Sequence, residues 1–181
     1  GRDGFQDYKI FPDSVAVELP AEVMVEVTQA GDDFGWPYCF YNQFEGRNVL
    51  NPEYGGDGKS VGRCAGVKAP VVAFPGHLAP NALLFYTGTQ FPEKYRNGAF
   101  VAFHGSWNRA PLNQQGFFVA FVPFKEGKPS GEWELFANGF AGSEAITAPR
   151  QAVYRPCGLA QGPDGSLYVS DDVKGNVWKI N

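Results

Sequence analysis

One strand order occurs twice in this chain, and it restricts the fold more than any other feature. At the C-terminus Gly158-Leu-Ala precedes the turn Pro163-Asp164-Gly165, then Gly165-Ser-Leu-Tyr-Val-Ser-Asp171, then Gly175-Asn-Val-Trp-Lys-Ile180. Upstream, with insertions, Ala82-Leu-Leu-Phe-Tyr86, Gly98-Ala-Phe-Val-Ala-Phe-His104 and Gly116-Phe-Phe-Val-Ala-Phe-Val122 hold the same places. Pro presets φ and Gly accepts φ > 0, so these punctuated runs read as short antiparallel strands joined by tight turns. The upstream copy continues through Gly127-Lys-Pro-Ser-Gly131 into a fourth strand, Glu132-Trp-Glu-Leu-Phe136. Four strands in this order make one blade of a β-propeller. A β-sandwich of seven or more strands also suits the length, but a sandwich has no reason to repeat one strand order.

The composition agrees: 23 Gly and 14 Pro among 181 residues, with aromatics at 15%, favour many short strands over helices. Before the complete copy, Glu22-Val-Met-Val-Glu-Val27 alternates as a half-buried strand does, and Pro70-Val-Val-Ala-Phe74 reads as an outer strand. Between them, Tyr38 to Lys68 shows no strong strand signal and is expected to be an irregular loop packed by Tyr and Phe. The expected fold is therefore all-β, a β-propeller fragment of one full blade plus two partial blades. Residues 1–80 hold the end of one blade with a long loop, 81–140 one complete blade, and 150–181 a partial last blade. Propellers close with about four to eight blades. Remaining propeller blades, or another copy of the chain, are thus expected as partners that cover exposed strand edges. The opening Gly1-Arg2-Asp3 carries neither a start methionine nor a signal-like segment, which predicts an internal start.

The net charge is -4 and the 15 basic residues are scattered, so no basic stripe exists for a phosphate backbone and nucleic acid is excluded as a partner. No apolar run approaches the ~18 residues of a membrane span. Cys39 and Cys64 flank a polar, Gly-rich excursion, where they are either a disulfide restraining that loop or two buried free thiols. A disulfide fits an oxidising compartment. Metal binding by cysteine is not expected, since no C-x-x-C spacing occurs and neither His lies beside them.

Loops at one end of a propeller channel are the usual ligand site, which directs attention to three polar clusters. His104-Gly-Ser-Trp-Asn-Arg109 interrupts apolar strands where the C-terminal copy has Ser170-Asp171-Asp172. Its His104, Asn108 and Arg109 suit an anionic cofactor or proton movement, or alternatively a blade-to-blade hydrogen-bond network with Trp107 as core. Arg155, just before the inner strand of the last blade, suits a carboxylate or phosphate, or forms an exposed salt bridge. His77, in Phe74-Pro-Gly-His-Leu-Ala-Pro80, holds the equivalent place one blade earlier, so His77 and Arg155 are expected to face the same channel. Gly31-Asp-Asp-Phe-Gly-Trp-Pro37 reads as an acidic turn followed by core residues. Gly1-Arg-Asp-Gly4 could offer oxygen ligands to calcium.

Together these motifs resemble the soluble quinoprotein sugar dehydrogenases, the glucose/sorbosone dehydrogenase family. The likeness rests on Asp33-Phe-Gly-Trp-Pro37, His77-Leu-Ala-Pro80, Phe85-Tyr-Thr-Gly88, His104-Gly-Ser-Trp-Asn-Arg109, and Arg155-Pro followed by Gly-Leu-Ala and Pro-Asp-Gly-Ser-Leu-Tyr-Val. They run in family order across nearly the whole chain, and His-Gly-Ser-Trp-Asn-Arg is the most specific, pointing to the sorbosone-dehydrogenase-like branch. The resemblance implies the C-terminal portion of a six-bladed propeller that uses pyrroloquinoline quinone (PQQ) with calcium to oxidise a sugar by hydride transfer. It implies cofactor contacts from Arg155 and the His104 to Arg109 loop, with His77 beside them, and places Gly1 and Arg2 near the calcium carbonyls. It also implies a periplasmic or secreted protein and a cytochrome as candidate electron acceptor. The family's general-base His comes from an earlier blade that nothing here matches. No catalytic residue is therefore assigned, and the chain alone is expected to lack full activity. A different class of function, a non-catalytic propeller module binding a ligand or protein through the same face, is the alternative.

Overall fold

The computed structural model describes Phe5, residues 8–143 and residues 145–181. It comprises two compact units, one of residues 1–77 and 108–112 and the other of residues 78–107 and 113–181.

In the first unit, β1 (Glu22–Met24) precedes a hairpin of β2 (Cys39–Asn42) and β3 (Arg47–Leu50), and β4 (Val72–Phe74) returns antiparallel to β1 with Met24 opposite Val72. The stretch expected as an irregular loop thus carries a hairpin and two 3-10 turns, Pro52–Tyr54 and Gly62–Gly66. Its strands are only four residues long and rich in Asn, so they lack the apolar run that marks a strand. Asparagine side chains organise it instead. Asn42 Oδ1 accepts the N–H groups of Phe44 and Glu45 to close the hairpin, and Asn51 Oδ1 accepts that of Glu53 to start a 3-10 turn. Cys39 and Cys64 form a disulfide that ties β2 to the second 3-10 turn. Phe5, Ala16, Leu19, Phe40 and Val49 form the local core, with Phe5 edge-on to Phe40 at 4.7 Å. Trp36, expected among the core residues, is instead 70% exposed where the chain turns at Gly35 with φ 92.

In the second unit the Gly-led segments form strands. β5 (Pro80–Phe85), β6 (Gly98–Phe103) and β7 (Phe118–Lys125) run as an antiparallel meander, to which short β8 (Lys128–Pro129) and β9 (Glu134–Ala137) add against β7. β10 (Pro156–Gln161), β11 (Leu167–Asp171) and β12 (Val177–Ile180) form a three-stranded antiparallel sheet. β6 is buried along its whole length because apolar groups cover both of its faces. Phe100 from β6 and Phe121 from β7 meet Tyr86, Phe91 and the β11 residues Leu167 and Val169 in one core, so the two sheets share their interior. Burying each such side chain contributes about 1.5–3 kcal/mol. Tyr86 donates its phenolic O–H to the Gly165 carbonyl at 2.7 Å, satisfying the one polar atom that this aromatic brings into the core. The fold is mostly β, with antiparallel sheets throughout.

Candidate functional site

β6 ends at Phe103, and the chain leaves the sheet through His104-Gly105-Ser106 in the second unit. Gly105 has φ 95, and an added Cβ would stand 2.1 Å from the Phe117 ring, so only glycine fits this exit. Ser106 is fully buried. Its N–H donates to the Gln115 carbonyl at 2.8 Å, its hydroxyl donates to Gln114 Oε1 at 2.8 Å, and its Oγ accepts the Gln115 N–H at 2.9 Å. The loop is therefore held at both edges before any ligand arrives.

Arg155 approaches from the segment ahead of β10. Its Nη2 donates to the Ser106 carbonyl at 2.9 Å and reaches that of Gly105 at 3.5 Å, while its guanidinium lies over the Phe117 ring at 5.3 Å. Burial pulls its pKa below the ordinary arginine value and the Asp172 charge partly offsets that, yet arginine stays protonated in proteins. Its Nε is buried with no hydrogen-bond partner among the described residues. A buried charged donor without an acceptor is costly, and an anionic oxygen supplies what is missing. His104 Nε2 lies 3.0 Å from each carboxylate oxygen of Asp172. Asp171 is buried, and its carboxylate accepts the N–H groups of Arg155 at 2.8 Å, Val173 at 3.1 Å and Lys174 at 2.8 Å. Burial would raise its pKa, but these bonds outweigh it and hold the carboxyl below the usual range.

Ser106, Asp171 and Asp172 were not among the residues expected from sequence. The signal was the repeat itself, which aligns Asp171 with His104 and so marks both strand ends as equivalent.

His77 and Arg109 belong to the first unit. His77 adopts φ 66, with Nε2 3.4 Å from the Ala16 carbonyl, and burial lowers its pKa so that the ring is neutral at pH 7. Arg109 is 1% exposed: its Nη1 donates to the carbonyls of Val17 at 2.6 Å and Gly76 at 3.0 Å, and its Nη2 pairs with Glu18. These bonds all lie within the first unit and commit its Nη groups to the protein. Asn108 is half-buried in the same unit. Trp107, expected as the core residue of a hydrogen-bond network, is 65% exposed.

Gly1 and Arg2, the expected calcium-side residues, lie outside the described residues. Among the described residues no group of three or more His, Cys, Asp and Glu could hold a metal ion, and no helix is long and apolar enough to cross a membrane. An open cavity of about 620 Å³ in the second unit, lined by Gln114, Phe118, Trp133 and Asn138 among others, has no titratable side chain among its described lining residues. Arg155, His104 and the two aspartates form an ionisable cluster of this unit at the end of β6 and β11. Tested against a carboxylate-bearing cofactor, Arg155 fits: it is a fixed cation whose orphaned Nε needs an anionic acceptor.

A family model described as TrAA12-like matches residues 16–181. An uncharacterised protein of Borreliella burgdorferi is 28% identical over 181 residues, 99% of this chain and 41% of that protein. A pyrroloquinoline quinone-dependent pyranose dehydrogenase of Coprinopsis cinerea is 34% identical over 125 residues, 61% of this chain and 16% of the enzyme. The chain thus spans less than half the length of either curated relative. Among solved structures, the calcium structure of Trichoderma reesei Carbohydrate-Active Enzymes Family AA12 superposes with a TM-score of 0.70 at 20% identity, over 89% of this chain and 42% of that one. At that identity the likeness concerns the fold, and the antiparallel sheets here match part of a propeller-like structure.

Proposed function

Because this chain belongs to the TrAA12-like family and is related to PQQ-dependent sugar dehydrogenases, we propose that it is part of a quinoprotein that oxidises a sugar. The observation that carries the reading is Arg155 Nε, buried and lacking an acceptor among the described residues beside a loop already fixed by Ser106. In this reading the β5–β9 sheet is one complete blade within residues 81–140, residues 1–80 end the preceding blade, and residues 150–181 begin the last. The other blades of a six-bladed ring come from a longer protein, of which this is the C-terminal portion.

PQQ, with calcium, supplies the hydride acceptor when bound. The chain's own residues supply the cradle. Arg155 binds an anionic oxygen and is kept from swinging by the Ser106 carbonyl and by Phe117 beneath its plane. His104 presents an imidazole oriented by Asp172. Ser106 keeps the loop rigid, so little ordering is left for binding to impose. The general base comes from elsewhere, which makes the chain by itself inactive on sugar, while Gly1 and Arg2 are the residues of this chain that would stand near the calcium carbonyls. The Cys39–Cys64 disulfide supports a periplasmic or secreted location, where a cytochrome could take the electrons.

Titration of the chain with PQQ and calcium, followed by cofactor absorbance, tests the reading. Saturable binding that Arg155→Ala weakens, together with sugar-dependent reduction of an artificial acceptor by the longer protein, is expected. Absence of PQQ binding by the longer protein would overturn it in favour of a non-catalytic module.

A further inference from the structure

In the first unit the start of β1 meets β2 where the Ala21 N–H donates to the Tyr41 carbonyl at 3.4 Å, and the two strands belong to separate sheets. A cavity of about 280 Å³ lies there, wholly within this unit, with Val23, Val25, Phe34, Trp36, Tyr41 and Asn48 on its walls. Successive side chains on a strand point to opposite faces, and residues directly opposite on paired strands share one. Phe40 and Val49 enter the local core from the hairpin, so Tyr41 and Asn48, which pair in the β2–β3 register, face the other way, toward the cavity. Asn48 is only 7% exposed. Its Nδ2 donates to the Lys68 carbonyl at 3.0 Å and reaches that of Val67 at 3.5 Å; carbonyls only accept, which fixes which amide atom is the nitrogen. Its Oδ1 has no hydrogen-bond partner among the described residues, yet it is not sealed off as Arg155 Nε is. The cavity is what it opens on.

A ligand filling this space either brings a donor to Oδ1 or leaves a desolvated acceptor unpaired, and the second is costly. Nothing in the walls calls for an ion: Glu22 and Lys68, the two lining residues that ordinarily carry charge, are of opposite sign, and Lys68 Nζ is already held by Asp32 Oδ1 at 2.6 Å and Thr28 Oγ1 at 2.7 Å. The volume stands just below the ~300–1,000 Å³ of small-molecule sites, which suits one ring system. A pyranose of that size would carry several hydroxyls into chiefly apolar walls, where each unpaired one is costly. A flat aromatic ring with a single donor leaves none over. We propose that this cavity is a binding site for a neutral aromatic ring bearing one N–H or O–H, of phenol or indole type, with the ring against Phe34, Trp36 and Tyr41 and the donor on Asn48 Oδ1. Arg155 belongs to the other unit, and the site does not rest on the function proposed above.

Two pairs of probes of matched shape test this on the full chain: phenol against fluorobenzene, and indole against benzofuran, the second of each pair lacking the donor. Titrations of the 15N-labelled protein are followed in 1H–15N spectra. Saturable shifts are expected at Val23, Val25, the Trp36 indole and the Asn48 side-chain amide, with phenol and indole bound at least about fivefold more tightly than their donorless counterparts. Trp36→Ala, at a position already 70% exposed, should weaken indole about fivefold and leave the rest of the spectrum in place. Equal affinities within each pair overturn the proposal, as do shifts that leave Asn48 unmoved. Failure of both donor probes to saturate overturns it as well, and tighter binding of methyl glucoside than of phenol would replace the aromatic class with a sugar. PQQ enters none of these measurements, so the quinoprotein reading stands or falls separately.

Discussion

Arg109 reaches back 92 residues to donate to the carbonyl of Val17 at 2.6 Å. The same guanidinium serves Gly76 and pairs with Glu18, so one side chain satisfies groups from separate stretches of the first unit. Removing it strands two main-chain acceptors and a carboxylate. Arg109→Met is expected to cost about 3–5 kcal/mol, the range for breaking one partner out of a buried pair. Urea denaturation followed by circular dichroism measures it, and a loss under 1 kcal/mol would show that water replaces the guanidinium.

The Cys39–Cys64 disulfide joins residues separated by 25 positions within a region poor in apolar side chains. In the chain-entropy model, closing such a loop contributes about 3 kcal/mol. The paired variant Cys39→Ser with Cys64→Ser should lower the unfolding free energy extracted from urea denaturation by that amount. Reductant should lower the midpoint of the unmodified protein and leave the variant unchanged.

His77 is held neutral by burial, with its pKa below the ordinary 6.5. The unfolded chain therefore binds the proton more readily than the folded one. Stability contributed at this position is present above 6.5 and is lost as pH falls below it. His77→Asn keeps a residue that tolerates positive φ and removes the titration. Its urea midpoint should fall less than that of the unmodified protein between about pH 7.5 and about pH 5.5. Parallel curves for the two proteins would assign the pH dependence to other groups.

The second unit was legible because its strands are long, apolar and introduced by glycine, so pattern and packing agree at Gly98–Phe103 and Leu167–Asp171. The β2–β3 hairpin and the 3-10 turn after it were not, because Asn42 and Asn51 respectively organise them through side-chain bonds that leave no hydrophobic periodicity. At the site, residue type drew attention to His104 as a polar interruption of apolar strands and to Arg155 as a cation just ahead of one. The partners that orient them are set by strand pairing: the β10–β11 register puts Pro156 opposite Asp171, and that brings the Asp171 carboxylate to the Arg155 N–H. Arg109 and Trp107 show the converse. The motif left Arg109 between a ligand contact and a hydrogen-bond network with Trp107 as core; in the structure the guanidinium is buried among carbonyls and the indole is exposed.

Gly105 is where fold and site constrain each other most tightly. Its φ of 95 disfavours any side chain, and an added Cβ would lie 2.1 Å from the Phe117 ring on which the Arg155 guanidinium rests. Backbone strain of about 1–2 kcal/mol for the left-handed conformation and about 1–3 kcal/mol for overpacking should make Gly105→Ala destabilising by about 2–5 kcal/mol. Because Phe117 is the clashing neighbour, Phe117→Leu should return the overpacking part when combined with Gly105→Ala while leaving the backbone part, so the two substitutions should be non-additive. The ring is also the support under Arg155, so the double variant should regain stability without regaining PQQ affinity. Thermal melting and cofactor titration on the four proteins of the cycle separate the two effects. Strict additivity in stability would mean that Phe117 moves aside at no cost, and that Gly105 is required for its backbone conformation alone.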